Sequence, residues 1–176
     1  MVGIETKRLF IQEAGKEHIE TIIALESHPE NRDYLWIGTY EEHEAEIADP
    51  NHLLLIFREK SSEKEVQNNI IGYALIRLDF KSHIFELRRI AISKKGCGYG
   101  RESMNALIRY AFEETETNRF WLDVYPDNVI GIALYESLGM HRDGVLRQNY
   151  KADRGYLDQI IYSILKSEYE SGNFPV

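Results

Sequence analysis

The sequence predicts a fold of the α/β class, or α+β by stricter counting, built around one mixed sheet. Its first strand-like segments follow one another with few helices between them, whereas the later ones alternate with helical segments. That order is typical of a sheet that contains both antiparallel and parallel pairs. No internal repeat and no linker rich in Pro, Gly or Ser divides the 176 residues. We therefore expect a single domain over residues 1–176.

The first half of the chain predicts three strands and two helices. In chain order these are strand 8–12, helices 18–27 and 41–48, and strands 52–58 and 70–78. The first helix is amphipathic, because Ile19, Ile22 and Ile23 recur at helical spacing, and the second helix is strongly acidic. The polar stretch 59–69 between the last two strands predicts an exposed hairpin loop.

The second half predicts strands that alternate with helices and a closing pair of strands. In chain order these are strand 83–92, helix 99–114, strand 119–125, helix 129–138, and strands 145–150 and 157–165. Residues 84–92 are apolar at positions of both parities, which indicates a central strand covered on both faces. Gly139 follows the last helix at the position of a C-capping glycine.

Composition and charge exclude several classes of protein. The formal net charge of -8 argues against a main role in binding nucleic acid phosphates. The longest apolar run, residues 53–57, is too short to cross a bilayer, and no signal-peptide pattern opens the chain. Cys97 is the single cysteine and the histidines lack metal-ligand spacing, so we expect a cytoplasmic protein without a metal site.

A glycine-rich turn, K-G-C-G-Y-G at 95–100, follows the predicted central strand and leads into helix 99–114. Glycines allow backbone N–H groups to approach a ligand closely. The helix N-terminus adds free N–H groups and the positive end of its dipole. The turn therefore predicts a pyrophosphate site, although by itself it is equally compatible with a structural turn. It matches neither the P-loop nor the dinucleotide-binding glycine pattern.

Two segments in the second half resemble motifs of the GNAT superfamily of N-acetyltransferases. The strand, the turn at 95–100 and the following helix resemble its motif A, Q/R-x-x-G-x-G/A. The stretch W-L-D-V-Y-P-D-N at 121–128, followed by A-L-Y-E-S-L-G-M at 133–140, resembles its motif B. The tail from Gly144 is similar to the branch of ribosomal-protein N-terminal and spermidine acetyltransferases. The resemblance covers roughly residues 70–169.

The resemblance implies a mixed, mostly antiparallel central sheet flanked by helices. It implies acetyl-CoA as cosubstrate, no metal, and transfer of acetyl to a primary amine by direct attack in a ternary complex. The acceptor would be a protein N-terminus, a polyamine or another small amine, with no nucleic acid or membrane partner, and family habit suggests a homodimer. Two alternatives remain: a non-catalytic acyl-CoA sensor and, less well matched, a dinucleotide-dependent enzyme.

The resemblance also assigns roles to individual positions. Those implied to bind the cofactor are Ile90, Ile92, Lys95, Gly96, Cys97, Gly98, Tyr99, Gly100, Arg101 and Asn128. Backbone groups of Ile90 and Ile92 and the Asn128 side chain would hold the pantetheine arm, and the turn would hold the pyrophosphate. Tyr135 matches the tyrosine assigned as general acid for the departing thiolate. We expect Cys97 to have no nucleophilic role.

The reaction also needs a group that removes a proton, because an alkyl ammonium with a pKa of about 10 is almost entirely protonated at neutral pH. Glu86 resembles the carboxylate that some family members use as base, often through water. A buried carboxylate is costly without partners, so an ion pair with Arg88 or Arg89 is the other interpretation.

Nine acidic residues against one arginine lie between Glu20 and Asp49. They form either two solvated helix faces or an acidic rim that attracts a cationic substrate. The aromatic residues Tyr34, Trp36 and Tyr40 lie in the same stretch. They either line an acceptor pocket or pack as core and surface anchors.

Overall fold

The computed structural model describes residues 2–60 and 69–172. The strands are β1 (Gly3–Glu5), β2 (Leu9–Glu13), β3 (His52–Glu59), β4 (Ile70–Asp79), β5 (Ile84–Ile92), β6 (Arg119–Val124), β7 (His141–Ala152) and β8 (Gly155–Leu165). The helices are α1 (Ile19–Ser27), preceded by a 3₁₀ turn at Lys16–His18, α2 (Tyr40–Ala48), α3 (Tyr99–Glu114), α4 (Val129–Ser137) and α5 (Lys166–Glu170). No helix within these two ranges is both long and apolar enough to cross a membrane.

The eight strands form one sheet in the order β1-β2-β3-β4-β5-β6-β8-β7. Every neighbouring pair is antiparallel except β5 and β6, which are parallel and are joined by the crossover helix α3. The predicted mixed, mostly antiparallel sheet flanked by helices is therefore confirmed. β5 lies inside the sheet, between β4 and β6, as its apolar residues of both parities indicate.

Helices pack on both faces of this sheet. Along β3, Leu55 and Phe57 belong to the larger core cluster, which contains the apolar side chains of α3 and α4. The alternate residues Leu54 and Ile56 belong to a second cluster with α1. Because side chains of a strand alternate between faces, α3 and α4 cover one face and α1 covers the other.

The sheet opens between β5 and β6. A bulge in the β4–β5 pairing leaves Arg88 without a β4 partner, since Leu75 pairs with Arg89 and Ile76 with Leu87. Such bulges bend a strand and increase its twist. The parallel pairing with β6 covers only residues 84–87 of β5. The last part of β5 and the end of β6 therefore diverge, and this gap positions the candidate site.

The predicted strands and helices are all present, with differences at some ends. β7 begins at His141, four residues before the predicted start, and β1 and α5 were not predicted. Gly139 caps α4 as expected: it has a φ of 77°, and its N–H donates to the carbonyl oxygen of Glu136 at 3.0 Å. Residues 61–68 of the predicted hairpin loop lie outside the described residues.

Candidate active site

A cavity of about 360 Å³ fills the gap between the diverging strands. Its lining comes from β5 (Leu87, Arg88, Arg89, Ile90), β6 (Leu122, Asp123, Val124), the glycine-rich turn (Lys95, Gly96), α4 and its cap (Asn128, Ile130, Tyr135), and the α1–α2 connection (Glu30, Asn31, Tyr34, Leu35). We call this space the first cavity, and the α1–α2 connection is residues 28–39. Of the residues implied by the resemblance, the first cavity brings together Ile90, Lys95, Gly96, Asn128 and Tyr135.

The glycine-rich turn has the backbone geometry of an anion site. Gly96 and Gly98 have φ angles of 70° and 81°, in the left-handed region that glycine adopts without strain. Gly98 is the N-cap of α3, so the first N–H groups of that helix lack intrahelical partners. A Cβ at Gly100 would lie 3.6 Å from Leu134 of α4, so the helices are close here. The turn can therefore present N–H groups and a helix dipole to a phosphate.

Arg8, just before β2, braces this turn from outside the first cavity. Its Nη1 donates to the carbonyl oxygen of Cys97 at 2.9 Å, and its Nε donates to Glu102 of α3 at 2.7 Å. Its guanidinium lies 4.1 Å from the centre of the Tyr99 ring. Glu102 is itself held by the Thr6 hydroxyl, which donates to it at 2.6 Å. The start of β2 thus fixes both the turn and the first turn of α3.

Lys95 reaches across the mouth of the first cavity. Its Nζ donates to Oδ1 of Asn31 at 2.6 Å, and the Asn31 amide in turn donates to the carbonyl oxygen of Leu25 at 2.8 Å. Burial lowers the pKa of Lys95, against the opposing charge of Glu30. The lysine therefore links the glycine-rich turn to the α1–α2 connection.

Asn128 caps α4 at the other wall of the first cavity. Its Oδ1 accepts a hydrogen bond from the N–H of Gly131 at 2.9 Å, so its Nδ2 is the donor that this side chain has for a ligand. A Cβ at residue 131 would lie 2.8 Å from that Nδ2. Glycine at 131 therefore leaves room for the cap.

Tyr135 and Asp123 both line the first cavity and have complementary acid–base properties. Burial, followed by the charge of Asp123, raises the pKa of the Tyr135 phenol, which therefore stays protonated. Burial also raises the pKa of Asp123, although Gln159 donates to its Oδ2 at 2.7 Å. A protonated phenol beside a carboxylate of raised pKa suits transfer of a proton in each direction. Sequence reasoning gave Asp123 no role; its signal was a carboxylate between apolar residues of a buried strand.

Glu86 lies outside the lining of the first cavity. Burial raises the pKa of its carboxyl group, and Nη1 of Arg77 lies 3.8 Å from its Oε2. Arg89, one of the two expected partners, instead pairs with Glu26 at 3.1 Å and with Glu46. Glu86 is therefore not one of the groups that line the first cavity with Tyr135.

The other implied residues have positions around the turn. Ile92 is buried at the end of β5, and Tyr99 is buried beneath Arg8, with its hydroxyl donating to Glu59. Arg101 donates to the Ser137 hydroxyl at 2.6 Å. The Cys97 thiol is exposed and lies 3.4 Å from the carbonyl oxygen of its neighbour Lys95.

A buried ionic network anchors α1 and α2 to the sheet. Glu26, inaccessible to solvent, accepts hydrogen bonds from Tyr73 at 2.5 Å and Arg89 at 3.1 Å, and its second oxygen lies 3.1 Å from His43 Nε2. His43 Nδ1 lies 2.8 Å from Glu46, which also accepts from Arg89. Burial alone lowers the pKa of His43, but its bonds to Glu26 and Glu46 raise it to about 9. The negative charges of Glu26 and Glu46 therefore balance the positive charges of His43 and Arg89.

The acidic stretch does not gather into one rim. Glu26 and Glu46 belong to the network, and Glu44 pairs with Lys16 at 2.5 Å. Of these carboxylates only Glu30 lines the first cavity. Within the described ranges, no three His, Cys, Asp or Glu side chains form a metal-binding group.

Parts of this chain are similar to named N-acetyltransferases. The chain is 36% identical over 74 residues to the uncharacterized N-acetyltransferase p20 of Bacillus licheniformis, 42% of each chain. It is 28% identical over 108 residues to a spermidine N(1)-acetyltransferase of Vibrio cholerae, 60% of this chain and 62% of the relative. It is 36% identical over 61 residues to the [ribosomal protein bS18]-alanine N-acetyltransferase of Salmonella typhimurium, 33% of this chain and 41% of the relative. Each match spans less than two thirds of the relative.

The fold and a family model agree with these relatives. A probable GNAT-family acetyltransferase from Chromobacterium violaceum superposes with a TM-score of 0.81 at 18% identity, covering 96% of this chain and 88% of the other. The model of the acetyltransferase (GNAT) family matches residues 11–140, which include the glycine-rich turn and Tyr135. The chain therefore belongs to the acetyltransferase (GNAT) family, whose enzymes use acetyl-CoA.

Proposed function

We propose that this chain transfers an acetyl group from acetyl-CoA to a primary amine by direct attack within a ternary complex. The observation that carries the proposal is the first cavity, where the glycine-rich turn, the open edge of β5, Tyr135 and Asp123 face one space. Two relatives support an amine acceptor, since their names specify spermidine and a ribosomal-protein alanine.

The residues around the first cavity suit the two polar parts of acetyl-CoA. Ile90 and Ile92 pair with β4 on one side, while the β6 pairing ends at residue 87. Backbone N–H and C=O groups at such an edge need partners, and the amides of a pantetheine arm supply them. Asn128 Nδ2 adds a donor on the facing wall. The N–H groups of residues 95–101 bind the pyrophosphate, with Lys95 supplying a positive charge.

The chain's own groups carry the proton transfers. When bound, acetyl-CoA supplies the acetyl group as an activated thioester. Asp123 accepts a proton from the acceptor ammonium, directly or through water, so that the free amine attacks the acetyl carbon. As the C–N bond forms and the C–S bond breaks, Tyr135 donates its proton to the departing sulfur. The nitrogen loses a second proton as the amide forms. This loss balances the proton that Tyr135 donates to the sulfur, so that protons are conserved.

Release of free CoA thiol from acetyl-CoA tests the proposal, with polyamines, small monoamines and short peptides as acceptors. Tyr135→Phe keeps the ring but removes the donor, so we expect kcat to fall by about 100-fold with little change in CoA affinity. Asp123→Asn should lower kcat comparably, whereas Glu86→Gln, outside the cavity, should have a small effect. A larger loss in Glu86→Gln than in Asp123→Asn would make Glu86 the base.

Binding and turnover together separate an enzyme from a sensor. Calorimetric titration of CoA into the protein and into Tyr135→Phe measures affinity without chemistry. CoA binding with no turnover of any amine in the panel would contradict the proposal and support a non-catalytic acyl-CoA sensor.

A further inference from the structure

A second cavity of about 360 Å³ adjoins the first. It is lined by the α1–α2 connection (Arg32, Asp33, Leu35, Trp36, Ile37), by Tyr125 at the end of β6, and by β7 and the turn after it (Tyr150, Lys151, Ala152, Asp153, Arg154). Leu35 lines both cavities, and Tyr125 directly follows Val124, which lines the first. The second cavity therefore begins where the space facing Asp123 and Tyr135 ends.

Three aromatic side chains, Trp36, Tyr125 and Tyr150, line the second cavity. The rings of Tyr125 and Tyr150 stack with their centroids 5.8 Å apart. Opposite them, Trp36 is 50% exposed and Ile37 is 39% exposed. A tryptophan and an isoleucine side by side with this much exposure present an apolar surface that a ligand can cover. Trp36 therefore lies outside the core, in the lining of the second cavity.

The walls of the second cavity are tied to each other. Arg154 forms an ion pair with Asp127, after β6, and its Nη2 donates to the carbonyl oxygen of Asp33 at 2.9 Å. These bonds connect the β7–β8 turn to the α1–α2 connection and to the segment before α4. Arg154 therefore links the two walls of the second cavity.

The charges of the second cavity are unsuited to a polycation. Its lining contains three basic side chains, Arg32, Lys151 and Arg154, against two acidic ones, Asp33 and Asp153. Asp33 also lies 3.9 Å from the Arg32 guanidinium. Arg154 is paired with Asp127, outside this lining, so the additional ammonium groups of a polyamine would meet no surplus of carboxylates here.

We infer that the acceptor is a monoamine whose apolar body carries an aromatic ring, with the ring in the second cavity between Trp36 and Tyr125 and the amine at Asp123. The inference rests on the proposed function and names its substrate class. A spermidine-like acceptor, as named for one relative, is not expected here.

The decisive measurement compares kcat/KM for three amines at saturating acetyl-CoA. These are 2-phenylethylamine, butylamine as the ringless control, and spermidine. Since burial of an aromatic ring strongly favours binding, we expect 2-phenylethylamine to exceed both others by about 10- to 100-fold. Peptides with and without an aromatic second residue are tested beside these amines. They distinguish a free small amine from a peptide N-terminus as the acceptor. Equal or better turnover of spermidine would overturn the inference.

Trp36→Ala tests whether the preference for an aromatic amine depends on the second cavity. It should lower kcat/KM for 2-phenylethylamine by about tenfold, a larger loss than for butylamine, and leave CoA affinity unchanged. Phe80→Ala, at an exposed aromatic outside both cavities, is the matched control and should change nothing. Equal losses for both amines in Trp36→Ala would contradict the inference.

The same panel distinguishes failure of the inference from failure of the proposed function. Butylamine turnover that depends on Tyr135, without any preference for a ring, leaves the acetyltransferase proposal standing and rejects the aromatic acceptor. If no amine turns over, calorimetry of 2-phenylethylamine with the CoA-loaded protein tests the second cavity directly. Absence of binding, or weaker binding than spermidine, rejects it.

Discussion

At the scale of single residues, Arg8 supports the glycine-rich turn although it lies far from that turn in the sequence. Because it holds the Cys97 carbonyl and Glu102 together, we expect Arg8→Ala to loosen the turn and raise KM for acetyl-CoA by about tenfold, as loss of a charge-assisted hydrogen bond does. Acetyl-pantetheine has no pyrophosphate, so its KM should stay the same. Lys60→Ala, which removes the nearby pair with Glu5, is the control. Equal increases for both thioesters would show a general loss of structure.

Sequence reasoning at the residue scale predicts positions that lie together in short motifs, and the roles of these residues remain predictions. Lys95, Gly96, Asn128 and Tyr135 belong to two short motifs, and the first cavity brings them together. Arg8 could not be found this way, since its partner Glu102 lies 94 positions away. The same holds for the ionic network, whose pairing depends on how α1, α2, β4 and β5 meet. Spacing along a chain does not report such contacts.

At the scale of elements, the amphipathic period predicts the long helix but does not reveal the short elements. Helix α3 has the predicted bounds, Tyr99–Glu114, because buried residues recur along four turns between a glycine cap and a polar end. β1 has three residues and α5 has five, too few for a period to emerge. β7 is exposed along most of its length, so it lacks the alternation that marks a half-buried strand.

The ionic network makes the attachment of α1 and α2 dependent on pH. The pKa of His43 is about 9 in the fold and about 6.5 in an unfolded chain. A histidine with a raised pKa stabilises the fold fully below pH 6.5 and loses that contribution as the pH rises through 9. We expect the free energy of unfolding to fall by up to about 3 kcal/mol over this window.

Urea unfolding between pH 6 and 9.5 checks this prediction against His43→Gln. The variant should be less stable at pH 6 and should show a flatter dependence, because no imidazole remains to titrate in the network. His141→Gln, at an exposed position, controls for the loss of one imidazole. Parallel curves for His43→Gln and the parent protein would contradict a charged His43.

The network also supports function at this scale, because it holds one end of the α1–α2 connection. The N–H of Gly38 donates to Glu26 at 2.8 Å, and a Cβ at Gly38 would lie 2.6 Å from His43. Each of residues 30–37 of the connection lines one of the two cavities, and Leu35 lines both. The connection that would form the proposed acceptor wall is therefore positioned by a charge-balanced cluster on the far side of the sheet from the glycine-rich turn's helix, α3.

At the scale of the whole molecule, the opening divides the sheet into two parts, which the cofactor would bridge. Strands β1–β5 lie on one side and β6–β8 on the other, and residues 84–87 of β5 supply their direct pairing. The larger core cluster nevertheless contains side chains from both parts, such as Leu9, Leu87 and Tyr162. We therefore propose one cooperative domain over residues 1–176 and expect a single unfolding transition.

Binding of CoA should stabilise both parts of this domain together. A ligand at 100 times its Kd contributes about 2.7 kcal/mol to the folded state, which raises Tm by about 5–10 °C for a chain of this length. Because the turn and Asn128 lie on opposite walls of the first cavity, the whole transition should move without splitting. Calorimetric scans with CoA and with pantetheine check this, and pantetheine should give the smaller shift. A scan in which one part melts at an unchanged temperature would show that the two sides of the opening unfold independently.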